Sequence, residues 1–198
     1  MGDLRAAAHE LEARYGLSSI EGGRHPGWGT ANRIVPLDDA YLELVAIADP
    51  AEAAQSPFGR WVGQAEPGLA CPFGWAVRTS RLNEVARRLD LTVTIGSRVG
   101  RDGRPLRWRL AGLEQASAEP SLPFFIEWAE GTPFPGQAPV SHRAGPVRIA
   151  ELQLEGDADR LADRLGSHRL PVTITPGAPA VARIVLTGAA GEIVLRKT

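Results

Sequence analysis

The chain has 198 residues, 43% of them hydrophobic and 23% charged, a globular composition that excludes fibrous and disordered classes. Its 22 basic and 23 acidic residues leave a net charge of −1, so it carries no electrostatic footprint for nucleic acid or an anionic membrane surface. The single cysteine, Cys71, excludes an intrachain disulfide and a cysteine-based metal centre, and no apolar run reaches the roughly 18 residues that a membrane span needs.

The first predicted element is a helix. Leu4, Ala7, Ala8, Leu11 and Tyr15 recur at helical spacing, Asp3 can cap the start, and Gly16 suits the stop. The segment is charged throughout and has no apolar signal core, so a cytoplasmic protein is expected. A short strand near Ser18 to Glu21 and a glycine-rich loop, "GGRHPGWG", follow. Two strands come next, Ala31 to Leu37 and Tyr41 to Ile47, joined by a turn at Asp38–Asp39. Residues 49 to 72 are irregular, although "SPFGRWV" reads as a helical turn covering something apolar.

A second block opens with the strand "GWAVRTS". Ser80 caps a helix, "RLNEVARRLDL", with Leu82, Val85, Ala86 and Leu89 on one face. Three strands complete it: "TVTIGSRV", "PLRWRLAGL" after a turn at Arg101-Asp102-Gly103, and "LPFFIEWA". The tail repeats the pattern with "VRIAELQL", the helix "DADRLADRLG", and then "LPVTITPG", "AVARIVLTG" and "EIVLRK".

The chain therefore reads as an α+β protein of repeated βαβββ modules. They form a curved, partly open, barrel-like mixed sheet with helices on the convex face. The first module spans 1–48 and lacks its first strand. Residues 49–72 connect it to the second, 73–130. A Pro/Gly-rich linker, 131–146, leads to the third, 147–198. A missing strand leaves an open sheet edge. The sequence admits three remedies: a longer natural chain, cover from the third module, or a homodimer.

Strand alternation assigns faces. In "AYLELVAI" the set Leu42, Leu44, Ala46 opposes Tyr41, Glu43, Val45. In "LPFFIEWA" the set Phe124, Ile126, Trp128 opposes Phe125, Glu127. The all-apolar sets are expected against the helices and the mixed sets in the cleft. That puts Glu43 and Glu127 in one shared cavity.

The segments "GGRHPGWGTANR" with "AYLELVAI", and "GWAVRTSRLNEVARRL" with "PFFIEWAEG", resemble the glyoxalase-like branch of the vicinal-oxygen-chelate superfamily. The resemblance is strong over residues 3 to 130 and looser over 146 to 198. It implies two βαβββ modules around a concave site. Many relatives hold a divalent metal there, and they include lyases, isomerases, ring-cleaving dioxygenases and antibiotic-binding resistance proteins. It also implies that Glu43 and Glu127, on the last strands of their modules, match two metal-ligand positions. The ligands expected on the first strands are lacking, because the first module opens at its helix and the second has "GWAVRT", with Trp75 and no histidine. Two carboxylates without imidazole make a weak hard-cation site, so the metal is the least supported part of the resemblance.

A carboxylate inside an apolar strand costs several kcal/mol unless paired, so Glu43 and Glu127 must be offset. They are metal ligands or general bases, or they are paired with a strand arginine such as Arg33, Arg78 or Arg109, or they reach solvent at a rim. His25 is an acid, base or ligand, or it caps a turn. Trp28 stacks on a planar substrate or plugs the core edge. Arg24 binds a carboxylate or is solvated. Strand placement sets Asn32, Trp75 and Arg78 near the pocket, with the core as the alternative for Trp75, and in a binding protein Trp28, Trp75 and Phe125 form the wall. His9 and His168 read as surface residues, His142 closes over the cleft from its loop or lies on the surface, and Cys71 has no activating partner. No phosphate loop, nucleophile elbow or nucleotide fingerprint is present. Two functions fit: an enzyme of the lyase, isomerase or dioxygenase kind acting on a small oxygenated molecule, or a non-catalytic protein that sequesters a small molecule, with the carboxylates attracting a cationic ligand.

Overall fold

In the computed structural model, residues 3–65, 72–100, 103, 105–189 and 191–196 are described. Cys71 and most of the 101–104 turn lie outside them. Helix α1, Leu4–Tyr15, starts where the Asp3 carboxylate accepts from the Arg5 and Ala6 amides and closes at Gly16. Strands β1 (Ile20–His25), β2 (Thr30–Pro36) and β3 (Tyr41–Ile47) form an antiparallel sheet in that order. Strand β1 extends through "GGRH" where the glycines predict a loop, and only Pro26 to Gly29 make the turn.

Short helices α2 (Pro50–Ala53) and α3 (Pro57–Gln64) follow. The second sheet contains β4 (Ala76–Arg78), β5 (Val93–Val99), β6 (Pro105–Ala111) and β7 (Phe124–Trp128), ordered β4-β7-β6-β5 with β4 and β7 parallel. Helix α4, Leu82–Arg88, packs Leu82, Val85, Ala86 and Leu89 on its convex face, and α5, Leu113–Ala118, sits between β6 and β7. Ser80 does not cap α4.

The last sheet holds β8 (Arg148–Glu155), β9 (Val172–Thr175), β10 (Ala180–Gly188) and β11 (Gly191–Arg196), with α6, Ala158–Leu165, between the first two. The element sequence is again β-α-β-β-β. Its order, β11-β10-β8-β9, nevertheless differs from that of the second sheet, because the first strand lies inside. The fold is α+β, with two mixed sheets, one antiparallel sheet and no closed barrel among the described residues. Within them no helix is long and apolar enough to cross a membrane.

Two contacts shape the interior. Strands β1 and β5, the facing edges of the first two sheets, run beside each other. A Cβ on Gly22 would lie 1.9 Å from the Asn32 amide oxygen, and one on Gly23 would lie 2.7 Å from the Val99 carbonyl. Only glycine allows this approach. Among the described residues the third sheet forms no ladder with the first, so it adds no strand to that sheet. It packs face-on instead: Val147, Leu186 and Leu195 join Leu11, Leu17, Val35 and Leu37 in one cluster, while Leu152, Leu154 and Leu161 pack with Leu122 and Trp75.

Leu186 is fully buried at this junction. Leu186→Ala is expected to cost about 2–5 kcal/mol, read as a lower urea midpoint. A truncation after residue 143 is expected to aggregate, because it bares the Leu11, Leu17, Val35 and Leu37 face; light scattering on a truncated chain that stays monomeric would reject this account.

Candidate functional site

The first two sheets enclose a pocket with about 460 Å3 of empty volume, its open mouth included. From the first sheet come His25, Asn32, Ile34, Tyr41 and Glu43, and from the second Arg98, Trp108, Leu110, Ile126 and Trp128. Phe58 of α3, Leu113 of α5 and Pro135 also line it. Pro135 belongs to the segment expected to be a linker. That segment is anchored: the Asp38 amide donates to the Gly136 carbonyl at 2.9 Å, and the His142 ring bonds the Ser18 amide and the Pro36 carbonyl, away from the pocket.

The walls are aromatic. His25 sits among Trp28, Phe58 and Trp108 at ring-centroid distances of 5.7, 6.1 and 5.8 Å. Trp108 lies 5.3 Å from Trp128. It fits because Gly96 stands opposite it, where a Cβ would come within 2.3 Å of the indole nitrogen.

Five polar side chains interrupt these walls, Tyr41 among them. Asn32 is buried, and its amide nitrogen donates to Glu43 at 2.6 Å. His25 is 3% exposed; its Nδ1 pairs with the Thr30 hydroxyl at 2.8 Å and its Nε2 lies 3.9 Å from Glu43. Arg98 reaches from β5 to donate to the Gly22 carbonyl. Glu43 retains 31% of its side-chain surface, and that surface opens on the cavity.

Their ionisation follows from this setting. Burial, and secondarily the Arg98 charge, lowers the His25 pKa to about 4, so the imidazole is neutral near pH 7. Burial raises the Glu43 pKa, against the opposing effects of the Asn32 hydrogen bond and Arg98. Burial also raises the Tyr41 pKa, with Glu43 adding to it, so the phenol stays protonated. Burial lowers the Arg98 pKa, but a guanidinium keeps its charge across the working range. The arrangement offers one fixed cation, one acid with raised proton affinity and one neutral imidazole against apolar walls.

Residues 1–169 match the sequence profile of the glyoxalase-like domain. The chain belongs to the glyoxalase-like domain family. A solved structure shows the same fold. A hypothetical protein from Staphylococcus aureus is 14% identical, with 87% of this chain and 83% of that chain covered and a TM-score of 0.65. Methylmalonyl-CoA epimerases from Streptomyces coelicolor and Mycobacterium tuberculosis are 17% and 18% identical. They cover 68% and 70% of this chain, 92% and 85% of their own, with TM-scores of 0.45 and 0.44. No curated protein sequence matches the chain.

The residues present in this glyoxalase-like domain do not fit a divalent ion. Among the described residues no three His, Cys, Asp or Glu side chains come together. Among the described residues of the lining, His25 and Glu43 are the only two of those side-chain types, and Arg98 sets a positive charge beside them. A divalent cation would meet that charge in a low-dielectric site.

Several expected site residues lie elsewhere. Glu127 is absent from the pocket lining. Its carboxylate is paired with Arg109, directly across the ladder, at 3.0 Å from the guanidinium Nε, and accepts from the Leu82 amide at the start of α4. This is the strand-arginine alternative. The expected faces of β7 are reversed: Phe124, Ile126 and Trp128 face the cleft, while Phe125 packs on α4 with Leu82 and Ala86. The reason is that the cleft is itself an apolar core between two sheets, and short α4 leaves room for a carboxylate at its positive end. Trp75 packs on Leu122 and the third sheet, donating to the Ser121 carbonyl. Arg24 is exposed, on the Ala48 carbonyl. His25, Trp28, Asn32 and Glu43 do converge.

Arg98, Trp108 and Trp128 were missed. Alternation in "TVTIGSRV" points the other way, since Ile95 and Val99 are 74% and 56% exposed. The usable signal was the Gly22–Gly23 pair, which marks a close approach by another strand.

The two titrating groups act with opposite sign. An unfolded chain takes up the proton that buried His25 refuses, so its contribution is present above pH 6.5 and lost toward about pH 4, of the order of 3 kcal/mol. His25→Gln should flatten that acid limb in urea titrations. For Glu43 the folded chain holds the proton more tightly, so stability relative to Glu43→Gln falls as pH rises above 4.5, its ordinary value. Glu127→Gln should lower stability by about 1 kcal/mol and leave ligand binding in the pocket unchanged, which calorimetry would check.

Proposed function

We propose that this glyoxalase-like domain takes a small oxygenated organic molecule into the pocket between its first two sheets and exchanges a proton with it through Glu43, without a divalent metal. One observation carries the reading: a carboxyl of raised proton affinity faces an aromatic cavity, with Asn32 to orient it. A general acid or base works best when its pKa is moved toward the working pH, and burial moves Glu43 that way. Arg98 supplies the positive charge that stabilises an oxyanion beside the exchanging proton. Neutral His25 orders the site through Thr30 and is a poor proton acceptor at this pKa.

The aromatic lining also favours a second reading, a protein that holds its ligand and leaves it unchanged. A thermal-shift screen of small carbonyl and hydroxy compounds finds ligands for either. Hits are then incubated in deuterated water. Proton exchange predicts deuterium wash-in at the carbon beside the oxygen, slowed about 10²- to 10⁴-fold in Glu43→Gln. Hits that stabilise the chain and show no wash-in would replace the enzyme with the holding protein.

A further inference from the structure

The sign of the ligand's charge can be taken from the side chains that line the pocket. Resting on the reading that this pocket binds a small molecule, we propose that its ligand is a small organic anion, a monocarboxylate on a planar apolar body, held by the Arg98 guanidinium, with Glu43 protonated when it is bound.

The groups facing Glu43 are His25 of β1, Asn32 of β2, Tyr41 of its own strand and Arg98 of β5. Arg98 is a permanent cation. The His25 imidazole is neutral above about pH 4, Tyr41 is neutral, and Asn32 carries no charge. Glu43 alone changes state. Ionised, it balances Arg98 and the pocket is neutral. Protonated, it leaves the pocket at +1. In neither state do these groups carry net negative charge. The cationic ligand expected from two carboxylates therefore loses its basis, since Glu127 is engaged elsewhere and an arginine faces Glu43.

Hydrogen bonding points the same way. Trp128, in the same lining, has its indole N–H buried with no partner among the described residues. A guanidinium and an unpaired N–H both call for an acceptor. The Asn32 amide oxygen, also without a partner, is packed against the Gly22 backbone. The planar faces of Trp28, Trp108 and Trp128 suit a flat apolar body. An arriving carboxylate raises the cost of an ionised Glu43, and protonation turns that carboxyl into a donor. Binding and protonation are thereby linked, and the ionised fraction of the complex is the form that accepts a proton from the ligand's carbon.

Three probes of one size separate the charge classes: benzoate, neutral benzamide and cationic benzamidine. Titration calorimetry at about pH 6 is expected to show benzoate bound at least tenfold more tightly than benzamide, and benzamidine not at all. Benzoate affinity should fall about tenfold per pH unit above the Glu43 pKa, with about one proton taken up per ligand in buffers of different ionisation heat. Arg98→Gln should remove the preference for benzoate over benzamide. Because Arg98 also holds the Gly22 carbonyl, that variant can fail to fold, and Glu43→Gln tests the idea separately: it should bind benzoate without pH dependence. Tightest binding by benzamidine, or equal benzoate and benzamide affinities without a pH slope, overturns the anion assignment and leaves the pocket reading standing. If none of the three binds, the assignment falls as well, and the pocket reading then depends on the carbonyl-compound screen.

Discussion

The approach of β5 to β1 is the constraint on which the site depends. Two strands from different sheets come close enough for a side chain on one to bond the backbone of the other. Gly22 and Gly23 make this possible, and Arg98 uses it. Without the approach β1 and β5 would both be uncovered sheet edges. With it, the concave faces turn toward each other and enclose the aromatic layer of Trp28, Phe58, Trp108 and Trp128. The pocket is therefore a gap left in a hydrophobic core, and its polar groups are desolvated by that core.

The third unit works at a distance from this pocket. It buries the apolar faces of α1 and of the first sheet, and it packs on the outside of the second sheet through Leu122 and Trp75. Buried Arg164 of α6 donates to the Pro123 and Gly112 carbonyls. Those residues stand at the openings of β7 and α5, two elements that line the pocket. A guanidinium bound to backbone on both sides fixes their relative position more firmly than apolar contact does. The third unit thus braces the elements carrying Phe124, Ile126 and Leu113.

Local patterns in the sequence translated well into elements. The α1 boundaries, the β2–β3 hairpin, the apolar face of α4 and the Asp157-capped α6 follow from caps, turns and period, all within a few residues of one another. The faces of β3 also followed, because α1 covers its Leu42 and Leu44 side. What failed was the assumption that the apolar set of a strand always meets the helices. On β7 both faces are covered, and the larger apolar layer is the cleft, so Phe124, Ile126 and Trp128 point there. On β5 the outer face is bare, so the valines and Ile95 are left in solvent while Gly96 and Arg98 point in. Alternation gives the two sets of a strand. Which set is buried depends on what packs there, and that is a tertiary fact.

Glu43 and Glu127 show how far position alone carries a role. Each is the acid in the last strand of its sheet. Glu127 accepts from the Arg109 Nε and Nη2 groups and from the Leu82 amide. Cross-strand charge and a helix start offset its desolvation, and little acceptor capacity is left over. Glu43 accepts, among the described residues, a single hydrogen bond, from Asn32, and its opposite number across the ladder is Ile34. A carboxyl has about four acceptor positions when ionised and one donor when protonated. One hydrogen bond and the Arg98 charge offset only part of its desolvation, and its pKa is raised accordingly. Glu43 keeps free acceptor capacity on the 31% of its side chain that stays exposed at the pocket, and this is the capacity that the proposed proton exchange uses. Structural pairing accounts for the acceptors of Glu127 and leaves those of Glu43 open to solvent or solute.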